Sequence, residues 1–204
     1  SMKNIFKRGD TIIEVTLAVS IFAMLMVSSL ALMNAGLSRS QATMQLTMAR
    51  NTIDAQAEAL RFMNGAFISQ HPRPVGEFTG PAREWLNATS ASFTSASQLN
   101  ECRSDFNATN ILVVDTANMV VRKSGNGANF TRAETYPRLS FGADSNTISM
   151  PSSYSEAQGV WIEVVRPSDS NAKYYDFHIR ACWTPSGSNI ETTLGTIVRL
   201  YDPR

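Results

Sequence analysis

Glu14 carries the one charge at the head of a stretch that otherwise has none. From Val15 to Ser38 no ionisable side chain occurs, and the next charge is Arg39. A carboxylate at the edge of so apolar a segment is costly without a cationic partner, so its chemistry is ion pairing. Cys102 and Cys182 are the only cysteines and offer either one disulfide or two buried thiols. His71 and His178 lie far apart, with no cysteine or carboxylate at metal-ligand spacing. Asp169, Asp176 and Asp202 are the one acidic set that would make a calcium site, although loop aspartates more often shape turns. No glycine-rich phosphate loop, HExxH pair or nucleophile elbow is present. The expectation is no catalytic residue, no metal and no cofactor.

The element that positions Glu14 is the apolar segment behind it. Val15 to Ser38 is 24 residues. As helix that is about 36 Å at 1.5 Å per residue, against a hydrocarbon core of roughly 30 Å. Lys3, Lys7 and Arg8 precede it, which orients the leader toward the cytoplasm and the bulk of the chain outward. Both cysteines then fall in the exported part, where a disulfide is favoured and would contribute roughly 4 kcal/mol by closing a long loop. An ordinary secretory signal fits poorly, because its apolar region runs to only about 7–15 residues, and Met33 stands where a small residue would be needed before a cut after Ala35.

Gly9-Asp10-Thr11-Ile12-Ile13-Glu14-Val15, preceded by a short basic leader, resembles the type IV pilin-like family. That family includes pilins, minor pilins and the pseudopilins of type II secretion. The resemblance covers roughly residues 3 to 60 and implies a cut after Gly9 by a prepilin peptidase. It also implies a glutamate at the fifth mature position, here Glu14, pairing with the N-terminus of a neighbouring subunit. Asp10 is a departure, since the family usually carries Phe or Met with an N-methylated amine there. The span also lacks the early helix-breaking Gly or Pro of many pilins, leaving Gly36 as the only candidate hinge. The fold implied is α+β: a long N-terminal helix packed on an antiparallel β-sheet, the type IV pilin fold.

The rest of the chain reads as follows. Residues 1–9 form the leader, 10–38 the membrane half of the helix and 39–67 its amphipathic half. Leu46, Ile53, Leu60 and Phe67 recur every seven residues, with Ala49 and Met63 on the same side and Gln56 interrupting the row. Ala55, Ala57, Ala59 and Ala66 permit close packing on the chain's own sheet. His71-Pro72-Arg73-Pro74 ends the helix. Residues 68–110 read as a connector with short helices at 81–87 and 95–103. The β-sheet part, 111–204, is expected to hold a hairpin of 111–114 and 119–121, a turn at 124–129, and strands at 147–150, 160–166, 174–183 and 193–201.

Charge argues against nucleic acid. Setting aside Lys3, Lys7 and Arg8, and Asp10 and Glu14, leaves 15 basic and 15 acidic residues beyond position 38. A DNA groove needs a basic excess, and the local set of Arg122, Lys123, Arg132 and Arg138 reads as a solvated face. The function expected is a structural subunit, a minor pilin or pseudopilin, of a type IV pilus-like filament. Its partners are other subunits, the assembly machinery, prepilin peptidase and membrane lipid. The alternative is an exported binding domain or enzyme held by a plain signal anchor.

Overall fold

The structure, a computed structural model, describes residues 10–97, 102–106, 110–125, 127–142, 154–169, 171–185 and 188–204. Helix α1 runs Asp10–Gln70, 61 residues without a proline, and stays α-helical through Gly36 and Gly65. The chain divides into two compact units, Ser1–Met44 and Gln45–Arg204. Within the described residues the first unit is helix alone.

In the second unit α1 continues three residues past Phe67. The His71 N–H still donates to the Phe67 carbonyl at 3.0 Å, and Pro72 and Pro74 then supply no N–H to continue the ladder. After a 3₁₀ turn at Val75–Glu77, helix α2 spans Pro81–Thr89. Pro81 opens it at a position whose N–H has no helical partner in any case. The expected helix at 95–103 is a correction: residues 95–97 and 102–103 are not helical. Their backbone is drawn to the sheet instead, as Phe93 bridges Val165 and the Ser97 N–H donates to the Glu163 carboxylate.

Eight strands form one sheet. They are β1 (Ile111–Asp115), β2 (Val120–Ser124), β3 (Gly127–Thr131), β4 (Arg138–Gly142), β5 (Tyr154–Gln158), β6 (Val160–Val165), β7 (Tyr174–Trp183) and β8 (Thr192–Tyr201). Their order is β4-β5-β3-β2-β1-β6-β7-β8. The fold is therefore α+β, but the sheet is mixed rather than antiparallel, because β2–β3 and β3–β5 run parallel. The parallel step arises where a turn was expected at 124–129. Gly125 (φ 74) and Gly127 (φ 83) let the chain move sideways without reversing. β3 then continues in the direction of β2, overlapping it only at Lys123↔Gly127 and Ser124↔Ala128. β4 and β5 were not anticipated, and the strand expected at 147–150 lies outside the described residues. The hairpin of β1 and β2, and strands β6, β7 and β8, fall within a residue or two of their expected bounds, apart from three extra residues at the end of β2.

Gly159 alone separates β5 from β6, and there the chain exchanges one pair of strand neighbours for another. Its φ is +64, and a Cβ would stand 2.3 Å from the Cys182 carbonyl and 2.5 Å from the Ala133 Cβ. Only glycine fits.

One apolar cluster joins Ile53, Leu60, Met63 and Phe67 of α1 to Trp85 of α2 and to Leu112, Ile162, Phe177 and Ile179 of the sheet. Phe67 and Phe78 have ring centroids 5.0 Å apart, and Trp85 and Phe177 5.3 Å. Gln56 sits inside this apolar row, 1% exposed. Its amide nitrogen donates to the Val114 carbonyl at 2.8 Å, and its amide oxygen accepts from the Val114 N–H at 2.7 Å. The β1–β6 ladder covers only Ile111↔Glu163 and Leu112↔Ile162. Two residues further along β1, at Val114, Gln56 takes the bonds a neighbouring strand would have made. The polar break in the stripe is thus a structural tie.

Gln56→Ala strands both Val114 groups in the core and should cost about 2–4 kcal/mol. Glu58→Ala, on the exposed side of the same helix, should stay within about 0.5 kcal/mol. Chemical denaturation of the full chain in detergent, followed by tryptophan fluorescence, measures both. Equal midpoints would remove the tie.

Candidate functional site

Asp10 opens α1 and Glu14 follows one turn later at an exposed position, while Gly9 lies outside the described residues. A helix N-terminus favours negative charge, yet Thr11 to Ser38 contains no arginine, lysine or histidine to pair with Glu14. The surface behind it is apolar on every side: Ile12, Phe22, Leu25 and Leu32 are 66%, 61%, 64% and 75% exposed. Three hydroxyls of the span are turned onto the helix itself. The Thr16 Oγ1 donates to the Ile12 carbonyl at 2.9 Å, the Ser20 Oγ to Thr16 at 2.7 Å and the Ser28 Oγ to Met24 at 2.8 Å. Hydrocarbon offers polar groups no partners, so these self-bonds suit a lipid setting. This is one helix long and apolar enough to cross a membrane.

A second polar centre lies in the domain and was not anticipated. Glu163 is 1% exposed on β6. It accepts from the Ser97 N–H at 2.9 Å, from the Ser97 hydroxyl, from the Trp161 indole at 3.0 Å and from Arg103 Nη1 at 2.8 Å. Arg180 Nη2 stands 3.9 Å away. Burial alone would raise the carboxyl pKa, but the Ser97 and Trp161 bonds and the Arg180 charge outweigh it, so the pKa is lowered. The signal available in the sequence was a lone glutamate two residues after a tryptophan in Val-Trp-Ile-Glu-Val-Val.

Cys102 and Cys182 form a disulfide with a Cα–Cα separation of 5.5 Å, so the reading as two free thiols falls away. The bridge ties the connector to β7, and the Cys102 N–H donates to Glu191 at 3.1 Å. With Phe93 and Phe106 it lies over a smaller apolar cluster of Ile111, Val113, Phe130 and Trp161.

The remaining candidates are dispersed. Asp169 accepts from the Asn171 N–H at 2.9 Å, and Asp176 takes a two-pronged bond from Arg199 at 2.7 and 2.8 Å. Asp202 is held by Trp85 at 3.0 Å and by Arg204. Each aspartate has its own partner, and the three do not converge. His178 is half-buried, opposite Glu163 and Ile197. Burial, with the Arg180 charge, lowers its pKa against the opposing pull of Asp176 and Glu163. His71 rests edge-on to Phe67 with ring centroids 6.1 Å apart. Of the basic set, Arg122 pairs with Asp115, Arg132 with Glu191, and Lys123 donates to Ser90. In comparisons with known proteins, no family model, no curated protein and no solved structure matches the chain.

A lowered Glu163 pKa gives stability that is fully present above the unfolded carboxyl value, near 4.3, and is lost as pH falls through the folded value. Asp202, also lowered, acts in the same window. Glu163→Gln should cost about 3 kcal/mol at pH 7, by breaking a buried pair. It should also flatten, without abolishing, the decline in unfolding free energy below about pH 4. Denaturation midpoints from pH 7 to 3 test this, and an unchanged slope would contradict it.

Proposed function

We propose that this chain is a structural subunit, a minor pilin or pseudopilin, of a type IV pilus-like filament. In this reading a prepilin peptidase cuts after Gly9 on the cytoplasmic side, and the apolar half of α1 holds the subunit in the membrane until assembly. Glu14 then pairs with the freed N-terminus of a neighbouring copy and sets the axial register between subunits. The domain has no catalytic role of its own, and its partners are other subunits and the assembly machinery rather than DNA.

The observation that carries this reading is the make-up of α1. One unbroken helix joins a 24-residue uncharged stretch headed by Glu14 to a second half whose apolar row is buried in the chain's own core. A plain signal anchor has no need of a carboxylate at its tip, nor of a glycine five residues before it. The unbroken span and the polar first mature residue favour a minor subunit over the main one.

Two measurements test the proposal. The mass of the N-terminus, in membranes with and without a prepilin peptidase, should show a peptidase-dependent product beginning at Asp10. An additional 14 Da, the mass of one added CH₂, would register methylation. An intact leader, or a cut near Ala35, leaves an anchored or secreted domain instead. Separately, Glu14→Ala should be processed normally yet enter filaments at a small fraction of the parent level in a sheared-filament assay. Incorporation equal to the parent would end the register role.

A further inference from the structure

Strand β8 ends the sheet, with β7 alone beside it over ten unbroken register pairs. The Asp202 N–H donates to the Lys173 carbonyl at 2.9 Å, which fixes the alternation along the ladder. Even-numbered residues of β8 exchange bonds with β7, and odd-numbered residues turn N–H and C=O away from the sheet. Thr193, Gly195, Ile197 and Arg199 thus present a row of donors and acceptors outward. Tyr201 belongs to the same set, but its carbonyl is already held by Asn64 Nδ2 at 2.8 Å. Thr192–Tyr201 contains no proline, no lysine and no bulge, and Arg199 is its one charged residue. Ile197 is 56% exposed, and Ile190, just before the strand, is 76% exposed.

We propose that β8 is an interaction edge that pairs antiparallel with β8 of a second copy of this chain, about a two-fold axis at Gly195. The outward groups repeat every second residue, and an extended backbone is the partner that answers at that spacing. Register follows from charge. With Gly195 facing Gly195, Glu191 lies opposite Arg199 of the second copy, twice by symmetry, and Thr193 lies opposite Ile197. Ile190 then meets Leu200 of the second copy. Centring on Ile197 would instead require the Tyr201 carbonyl, already occupied, and would leave Glu191 outside the ladder. Within one copy Glu191 and Arg199 are eight residues apart, about 26 Å along a strand, so they meet only across this contact. Glu191 pairs with Arg132 at a largely exposed position, where a pair exchanges at little cost. Arg199 keeps its two bonds to Asp176, whose side chain is 16% exposed, and Glu191 of the second copy joins it from the open side. A two-fold contact closes at a dimer. It neither builds a filament nor depends on the filament reading.

The test uses the full chain in membranes, with Gly195→Cys, Ile197→Cys or Ser140→Cys introduced singly. Mild oxidation should cross-link Gly195→Cys at several times the yield of the other two. Ile197→Cys mixed with Thr193→Cys should recover a high yield, and supports the register even where the Gly195 variant folds poorly. In the Gly195→Cys background, Glu191→Arg should lower the yield about tenfold, the effect of two cross-strand charge pairs. Adding Arg199→Glu should restore it. Uniform cross-linking at all three sites would mark encounter through the anchors alone and overturn the proposal, as would a charge swap that fails to restore. Processing at Gly9 is read from the same samples by mass, so the two readings fail independently.

Discussion

An α-helix with apolar side chains at 46, 49, 53, 60, 63 and 67 has to bury that row, and the inner face of the sheet is what covers it. The rest of the second unit follows from this demand. Phe67, at the end of the row, stacks with Phe78 and Trp85, so α2 is held against the end of α1 by aromatic area. Asn64 and Gln56, the buried polar side chains of that surface, are each spent on a strand carbonyl or amide. A side-chain amide can carry one donor and one acceptor into a core without penalty only where a peptide group offers both in return. Val114 offers both, at the point where the β1–β6 ladder stops.

Covering one face of a sheet leaves the other. In this chain the strands next to the centre are buried on both faces: β1 reads as five buried residues and β6 as five of six. The connector around Phe93, Cys102 and Phe106 shields the second face. Its described residues between α2 and β1 form no helix or strand, so they are fixed at discrete points. These are the Phe93 bridge to Val165, the Ser97 and Arg103 bonds to Glu163, and the Cys102–Cys182 disulfide. Gly159 belongs to the same device. By giving up a side chain, it lets Cys182 and Ala133 approach where β5 passes into β6.

What could be read from the sequence was what depends on local pattern. The helix stripe, the proline stop after Gln70, the β1–β2 hairpin and the long apolar strands β6 to β8 all announce themselves by period and punctuation. What could not be read depends on partners distant in the chain. The glycines at 125 and 127 spell a turn, and whether the chain reverses or steps aside is decided by β5, some thirty residues on. Gln56 looks like a fault in the stripe until Val114 is beside it. Glu163 looks like a solvent-facing strand residue until Ser97 and Arg103 arrive from the connector. The disulfide was legible because the chain has only two cysteines, both on the side of the apolar span that its charge pattern reads as exported. The N-terminal features were legible for a different reason: Glu14 and the uncharged span owe nothing to the fold of the domain.

The charge balance at the head of α1 sets a condition on any assembly made through it. If the chain is cut after Gly9, each copy gains one α-amine and keeps two carboxylates, Asp10 and Glu14, one turn apart. Pairing every amine with a Glu14 still leaves one negative charge per copy. A carboxylate costs about 2.5–3.5 kcal/mol at the centre of a bilayer on insertion scales, and two on one helix face repel. The residual charge is carried most cheaply by Asp10. It opens the helix, where the macrodipole favours negative charge. Glu14, one turn deeper, is the carboxylate with more to gain from an amine supplied by a neighbour. The two acids are therefore unequal despite their common chemistry. In an assembly of that kind, depth along the helix would make Asp10 the interfacial acid and Glu14 the one suited to fixing the register between copies.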